Sequence, residues 1–268
     1  MSDRVSFTIG DDAVGEVVLT RPDKLNAMDQ ALFDGLHDAA AAARDAIADG
    51  TVRAVLLRAE GRAFSAGLDV SLFGQQASGE MPADEWIAAL QQAFTGLEDL
   101  EVPVVAAVQG VAYGGGCQLA LAAHLRVAAA DAELALLEVN WALIPDLGGL
   151  TRLPRLIGIS RAADMAMTGR KVDARTALDW GLVDRVVDEG GDVRAVAHAL
   201  AAQLAAGPTV AIGAVPALLR RSATTERDAM LAAERAHQQH CLSSPDFVEA
   251  ATAAMQGRSP RFTGRRGG

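Results

Sequence analysis

The sequence predicts an α/β fold in which strand-strand-helix units repeat and a helical region completes the chain. Residues 5–19 alternate apolar and polar side chains on both sides of a glycine-aspartate turn, so they predict a β-hairpin, and a helix follows Asp29. The same order recurs at the apolar strand 102–108 and the helix after Gly116. From about residue 193 onward the pattern is almost wholly helical.

The first unit carries clear signals for the ends of its helix. Asp29 is a good N-cap, because its carboxylate can accept a hydrogen bond from a backbone amide of the first turn. Gly50 ends the helix, and the β-branched strand 52–57 follows. Between the two ends, apolar residues recur at helical spacing: Leu32, Leu36, Ala39, Ala40, Ala43 and Ile47.

Two strands lead into glycine-containing turns. A triple glycine at 114–116 separates the strand 102–108 from an apolar helix at 118–123, and the strand 52–58 runs into the segment 61–69. The first amides of a helix are unpaired and carry partial positive charge, and glycine lets a ligand approach them closely. Two such sources of N–H groups could form an oxyanion hole for acyl chemistry. Each cluster alone is also compatible with a tightly packed turn.

Composition excludes several classes of partner. The chain has 268 residues, enough for one large domain or two small ones, and 50% of them are apolar. A net charge of −10 argues against nucleic acid and against an anionic membrane, although local arginines could hold a phosphorylated ligand. The cysteines and histidines show no metal-ligand spacing, so no metal is expected.

The sequence also indicates a compartment. Cys117 and Cys241 are the only cysteines and give no disulfide framework. The N-terminus lacks the apolar core of a signal peptide, and no apolar stretch is long enough to span a bilayer. We therefore expect a soluble protein of the reducing cytoplasm.

Several short motifs occur in order along nearly the whole chain. They are an arginine-proline turn at 21–28, the loop 64–69, the glycine turn 113–118, an acidic segment at 138–149 and helical turns at 167–183. This ordered set resembles the crotonase superfamily, the enoyl-CoA hydratase/isomerase family.

The resemblance implies an architecture and an assembly. Residues 1–206 would form a crotonase-like spiral of repeated ββα units with the acyl-CoA site, and residues 207–268 a C-terminal helical oligomerisation region. Family members form trimers, often paired into hexamers. Phe262 and Arg265 in the tail would then reach the CoA of a neighbouring subunit, although a solvated, disordered tail is the alternative.

The resemblance also implies which groups contact the substrate. The backbone amides of Leu68 and Gly115 would form the oxyanion hole, and the Leu68 side chain could line the acyl pocket as well. Contacts with the substrate or with CoA are implied for Lys24, Leu25, Ala66, Asp69, Gly114, Phe262 and Arg265.

The acid-base residues depart from the family pattern at one position. Hydratases of the family use two glutamates, and this chain has Gln118 at the first position and Glu138, 20 residues later, at the second. Glutamine cannot ionise, but Gln118 could hold a water or orient Glu138. The alternative for Glu138 is a solvated or capping carboxylate, which an apolar segment disfavours.

Asp146 supplies a further carboxylate just before a glycine pair. It could be the N-cap of a helix that begins near residue 147, or a proton shuttle that works with Glu138. Dienoyl-CoA isomerases of the superfamily have aspartate at this position. Chloroaryl-CoA dehalogenases use the corresponding aspartate as a nucleophile, but they lack a glutamate at the position of Glu138.

The sequence therefore favours an enzyme that hydrates or isomerises the double bond of an enoyl-CoA. The thioester enolate would be held in the oxyanion hole, and Gln118 in place of a second glutamate favours isomerase-type chemistry. No cofactor is expected beyond the CoA of the substrate. The alternative is a non-catalytic acyl-CoA-binding protein that kept the pocket and lost the chemistry.

Overall fold

A computed structural model describes residues 3–72, 74 and 82–264 of the chain. The predicted tail residue Arg265 lies outside the described residues. The strands are β1 (Val5–Ile9), β2 (Val14–Leu19), β3 (Ala54–Ala59), β4 (Val104–Val108), β5 (Val111–Tyr113), β6 (Leu125–Ala129), β7 (Glu133–Ala135), β8 (Val172–Asp173) and β9 (Arg185–Val187).

Helices alternate with these strands and then continue alone to the C-terminus. They are α1 (Gln30–Ala48), α2 (Ala83–Glu98), α3 (Gly115–Ala122), α4 (Gly149–Ile157), α5 (Ile159–Thr168), α6 (Ala174–Trp180), α7 (Val193–Ala205), α8 (Thr209–Ser222), α9 (Arg227–Leu242) and α10 (Pro245–Met255). Short 3₁₀ turns cover Pro22–Lys24 and Glu138–Trp141.

The strands form two sheets, and successive strands alternate between them from β4 to β7. The larger sheet has the order β1-β2-β3-β4-β6-β9, and the smaller sheet has the order β5-β7-β8. Because β4 and β6 lie in the larger sheet while β5 and β7 lie in the smaller one, each turn of the chain adds a strand to both sheets. This arrangement is the spiral of repeated units that the sequence predicted.

The first unit differs from the later ones. Strands β1 and β2 both belong to the larger sheet, where they pair antiparallel, whereas β2, β3, β4, β6 and β9 run parallel. The connection between β1 and β2 is a tight turn closed by a hydrogen bond from the Ala13 amide to the Gly10 carbonyl. Such a short connection can join only antiparallel neighbours, so the hairpin stays in one sheet.

Both faces of the larger sheet are buried. Along β3, Val55 and Leu57 face the main core with α1, α2 and α3, while Ala54 and Leu56 face α7. Side chains in a strand point alternately to opposite faces, so the apolar run that predicted a buried strand supplies both cores.

Helix α1 has the predicted ends and the predicted buried face. The amide of Leu32 donates to the Asp29 carboxylate over 3.0 Å, which confirms the N-cap. All six apolar positions predicted at helical spacing are buried. The helix ends at Ala48, and Gly50 follows with a φ of +83°.

Few residues of the last three helices are buried within the chain. Helix α7 packs on the larger sheet, but α8, α9 and α10 bury only Thr209, Gly213, Ala233, Asp246 and Ala253. Large apolar side chains on these three helices are exposed: Val215, Leu219, Leu242, Phe247, Val248 and Met255. The break at 223–226 between α8 and α9 carries no glycine or proline, and the sequence did not predict it.

No single helix in the described part of the chain is long and apolar enough to cross a membrane. Helices α7 and α8, bent by 111° at their junction, pass that test only as a pair, by length and composition.

The loop after β3 is held directly against β5. The Ser65 amide donates to the Val111 carbonyl over 3.0 Å, and the Tyr113 amide donates to the Ser65 carbonyl over 2.9 Å. A Cβ on Gly116 would lie 2.5 Å from the Ser65 carbonyl oxygen. The two backbone segments therefore approach more closely than a side chain at residue 116 would allow.

The close approach at Gly116 predicts a selective effect on stability. We expect Gly116→Ala to lower the free energy of unfolding by roughly 1–3 kcal/mol, because the backbone must move to admit the methyl group. Gly115→Ala is the matched control, since its Cβ would meet no atom closer than 3.4 Å. Denaturant unfolding measures both variants, and equal stabilities would contradict the close approach.

Candidate active site

The two glycine-containing loops bring two backbone amides together. Leu68 follows the loop after β3, and Gly115 is the first residue of α3. Neither amide donates a hydrogen bond to another described residue. A Cβ on Gly67 would lie 3.5 Å from the Gly115 nitrogen, and one on Gly115 would lie 3.4 Å from the Leu68 side chain. Each of the two loops thus has an amide without an acceptor among the described residues, and the oxyanion hole that the resemblance implies stays a prediction.

The N-terminal turn fixes the first of these loops. The Ala66 amide donates to the Leu25 carbonyl over 2.9 Å, and the Met28 amide donates to the Gly67 carbonyl over 2.8 Å. The Asn26 side chain is fully buried and donates to the carbonyls of Glu60 and Ala63. The role of Asn26 was not predicted from the sequence, although an asparagine inside a turn is a common signal for side-chain to backbone bonds.

Asp69 is engaged by groups of its own chain. Its carboxylate accepts from the Ser71 amide over 2.9 Å and from the Arg21 guanidinium over 2.6 Å. The Ser71 amide first, and then Arg21, lower the pKa of Asp69 to about 2. The contact of Asp69 with the substrate stays a prediction. The ion pair with Arg21 joins residues 48 positions apart, and sequence reasoning missed it.

Glu138 and Gln118 form the polar centre of the site. Gln118 lies on α3 and is 1% exposed, and Glu138 opens a 3₁₀ turn and is 8% exposed. Gln118 Nε2 donates to Glu138 Oε1 over 2.7 Å, while the Gly149 amide donates to Gln118 Oε1 over 2.9 Å. The interpretation of Glu138 as a solvated or capping carboxylate is therefore wrong, because the residue is buried and makes no cap.

Burial makes Glu138 a better base than an exposed glutamate. Desolvation raises its pKa, the charge of Asp146 adds to the rise, and the hydrogen bond from Gln118 opposes it. Glu138 Oε2 is buried and has no hydrogen-bond partner among the described residues. A buried carboxylate oxygen without a donor is positioned to take up a proton or to hold a polar group of a ligand.

Asp146 lies at the same site but does not cap a helix. The N-cap of α4 is Gly148, which carries no side chain, so the predicted capping role of Asp146 is wrong. The Asp146 carboxylate lines the cavity that contains Glu138, and burial raises its pKa. Its backbone carbonyl accepts from the Gln91 side chain over 2.6 Å.

These groups face one cavity of about 450 Å³. From the predicted set, the structure brings together Ala66, Leu68, Gly114, Gly115, Gln118, Glu138 and Asp146. Apolar side chains supply the other walls: Val70, Trp86, Ile87, Leu90, Leu137, Trp141, Leu143, Ile144 and Leu147. The contribution of α2 to these walls was not predicted from the sequence.

Other predicted residues lie outside this cavity. Lys24 is exposed and Leu25 is partly exposed in the adjoining N-terminal turn. The Phe262 carbonyl accepts from Arg53 over 3.2 Å, just before the start of β3, whereas Leu68 follows the end of β3. The tail is therefore held at the end of β3 opposite to the end that leads to Leu68. Among the described residues, no group of three or more His, Cys, Asp or Glu could hold a metal ion.

Known proteins share this sequence and this fold. The model of the family described as enoyl-CoA hydratase/isomerase matches residues 10–265. The chain is 32% identical over 253 residues to the 1,2-epoxyphenylacetyl-CoA isomerase of Escherichia coli K12, covering 93% of this chain and 94% of that protein. It is 35% identical over 257 residues to the carnitinyl-CoA dehydratase of Salmonella typhi, covering 93% and 95%.

A solved structure gives the same result for the fold. The enoyl-CoA hydratase of Bacillus anthracis superposes with a TM-score of 0.88 at 28% identity, covering 98% of this chain and 100% of that one. The predicted crotonase-like α/β fold is thereby confirmed. The chain belongs to the enoyl-CoA hydratase/isomerase family, and it is an enzyme of the hydratase/isomerase kind.

Proposed function

We propose that this enzyme moves the double bond of an enoyl-CoA, with Glu138 as the base that removes and returns a proton. The observation that carries the proposal is the pairing of one buried carboxylate with the amide of Gln118, next to the unpaired amides of Leu68 and Gly115. Isomerisation needs a single base that works at two carbons, whereas hydration also needs a positioned water and a second proton donor.

In the proposed reaction the thioester oxygen accepts hydrogen bonds from the Leu68 and Gly115 amides. Glu138 takes a proton from a carbon activated by the thioester, so a C–H bond breaks and its electron pair moves toward the thioester oxygen. The two amides stabilise the negative charge of the resulting enolate. Return of the proton to a different carbon gives the isomer, and the reaction requires no oxidant, reductant or metal.

Asp146 is proposed as the second proton carrier. It lines the same cavity as Glu138, and its charge acts on Glu138. Burial raises the pKa of both carboxyl groups, which favours the protonated form that a shuttle needs at one stage.

The cavity supports an apolar acyl group. Its walls beyond Glu138, Gln118 and Asp146 are aliphatic or aromatic. The CoA portion would leave past the N-terminal turn, where Lys24 is an exposed cation beside the partly exposed Leu25, and past Ala66 and Gly114, which line the cavity. The proposed contact of a neighbour's CoA with Phe262 and Arg265 is consistent with a tail that lies away from its own cavity.

Two other functions are distinguished by specific features. Hydration fits the names of relatives, but this chain has Gln118 at the position where hydratases have one of their two glutamates. A non-catalytic acyl-CoA-binding protein would explain that loss, yet it would not require a buried carboxylate whose Oε2 has no partner among the described residues.

Assembly is proposed from the C-terminal helices. Six large apolar side chains on α8, α9 and α10 are exposed in the single chain, and burial against other copies would remove them from water. We propose a homotrimer or a dimer of trimers, with residues 207–268 at the subunit contacts and residues 1–206 as the spiral core.

Glu138→Gln is expected to lower turnover by roughly 10²–10⁴-fold while the affinity for CoA thioesters changes little, because the amide keeps the shape but cannot accept the proton. Steady-state assays with 2-enoyl-, 3-enoyl- and 3,5-dienoyl-CoA test it, and we expect the 3-enoyl or dienoyl substrate to be the better one. Glu189→Gln, a change at an exposed glutamate that follows β9, is the control. Wild-type turnover in Glu138→Gln would remove Glu138 from the mechanism, and tight binding without turnover in the parent would favour the binding protein.

Asp146→Asn is expected to lower turnover at least about tenfold without lowering the melting temperature, because the Asp146 carboxylate caps no helix and the Gln91 bond uses the backbone. Activity per folded molecule and thermal unfolding are measured on one preparation. Full activity in this variant would assign proton transfer to Glu138 alone.

Light scattering is expected to give three or six times the mass of one chain at micromolar concentration. Leu219→Glu, at a residue of α8 that is 67% exposed, should lower that mass, because a charge would be buried at a subunit contact. Ile9→Glu on β1 is the matched control at an exposed apolar residue of the spiral and should leave the mass unchanged. A monomer mass for the parent would refute the assembly.

A further inference from the structure

A partly buried ion pair joins α2 to α4 beside the turn that contacts Gln118. Arg152 on α4 is 8% exposed, and its Nε donates to Glu98 Oε2 on α2 over 3.0 Å. A second guanidinium nitrogen, Nη2, donates to the same carboxylate oxygen, and Nη1 donates to the Leu147 carbonyl over 2.9 Å. The arginine therefore links α2 to the turn at residues 147–149.

That turn is shaped to receive the guanidinium. Gly148 has a φ of +90°, and a Cβ there would lie 2.1 Å from Arg152 Nη1. At the next residue, Gly149, a Cβ would lie 2.8 Å from Gln118 Oε1. Two consecutive glycines thus let the turn fit between Arg152 on one side and Gln118 on the other.

The turn also decides which way the Gln118 amide points. A backbone amide can only donate, so the Gly149 N–H, 2.9 Å away, requires the carbonyl oxygen of Gln118. The NH₂ group must then face Glu138, to which it donates over 2.7 Å. With the turn displaced, Gln118 could rotate its amide and present an oxygen to the Glu138 carboxylate.

We propose that Glu98 and Arg152 are positioning residues that act through the 147–149 turn and Gln118 to hold Glu138 by its Oε1 and leave Oε2 to take the proton. The significance of this arrangement for turnover depends on the function proposed above. The arrangement itself is a series of hydrogen bonds that runs from Glu98 through Arg152, the turn and Gln118 to Glu138. Every polar link in the series is buried or partly buried.

Burial and three groups act on the charge state of Glu138. Burial opposes ionisation most, hydrogen bonds from the Glu138 backbone amide and from Gln118 favour the ionised form, and the charge of Asp146 opposes it. Cys117 on α3 is also close: burial first, and then the charge of Glu138, raise the pKa of its thiol. Because the thiol of Cys117 has a pKa raised to about 12, it stays neutral and does not compete. Loss of the Gln118 hydrogen bond should therefore raise the pKa of Glu138.

The test compares Arg152→Lys with Arg126→Lys. Arg126 is also buried, at 2% exposure, and also pairs with a carboxylate, Asp184, while donating to two backbone carbonyls away from the cavity. Lysine cannot reproduce the several directed bonds of either guanidinium, so both variants should lose stability. If Arg152 had only a structural role, the two variants would also have the same pH profile of kcat.

Arg152→Lys is expected to shift the acidic limb of the kcat pH profile upward by about one pH unit and to lower kcat roughly tenfold with little change in KM. Arg126→Lys should leave the limb in place. Glu98→Gln, which keeps an acceptor for Arg152, should give a smaller shift in the same direction and remains informative if Arg152→Lys does not fold. A double variant combines Gln118→Met with Arg152→Lys, or with Glu98→Gln if Arg152→Lys does not fold. It should shift the acidic limb no further than Gln118→Met alone, since both changes act through one hydrogen bond.

A direct titration separates this proposal from the proposed function. In protein labelled with ¹³C at glutamate Cδ, the Glu138 signal is assigned by its loss in Glu138→Gln, and its pKa is read without any substrate. An upward shift in Arg152→Lys or Glu98→Gln supports the positioning role even if no enoyl-CoA is turned over. An unchanged Glu138 pKa in both variants, or an equal shift in Arg126→Lys, would overturn it.

Discussion

The close contact between the loop after β3 and strand β5 is the constraint on which the site depends. The Ser65 carbonyl lies against Gly116, and the Tyr113 carbonyl lies 2.7 Å from where a Cβ on Gly67 would be. Only glycine allows backbone to approach backbone so closely. The contact places the Leu68 and Gly115 amides together and sets the start of α3, which carries Gln118.

Charge burial is the second principle of this site. A carboxylate such as Glu138 is costly to bury, and hydrogen-bond donors rather than a cation reduce that cost. Burial raises the pKa of Glu138, whereas Asp69, bonded to the Ser71 amide and Arg21, is held ionised. Two carboxylates of one chain therefore differ in how readily they take up a proton.

Sequence patterns predicted the features that depend on local order. The Asp29 cap follows from a residue type that suits the start of a helix, and the buried face of α1 follows from helical spacing. Two amides at the glycine turns have no acceptor among the described residues, and their use as an oxyanion hole stays a prediction. The alternative in which Asp146 caps α4 was wrong, because the helix begins at Gly149 with Gly148 as its N-cap. Residue spacing alone does not define that start. Long-range ion pairs had no local signal: Arg152 and Glu98 are 54 residues apart in the chain.

The attachment of the C-terminal helices has a consequence for the order in which the chain loses structure. Residues 207–264 bury few of their own side chains, and hydrogen bonds from Arg53 to Gly207, Thr209 and Phe262 are among the contacts that attach them to the spiral. Local opening therefore costs less free energy for this segment than for the larger sheet, which is covered on both faces. In a single chain, we expect the amides of α8 to α10 to exchange with solvent ahead of global unfolding, as a cooperative unit of their own.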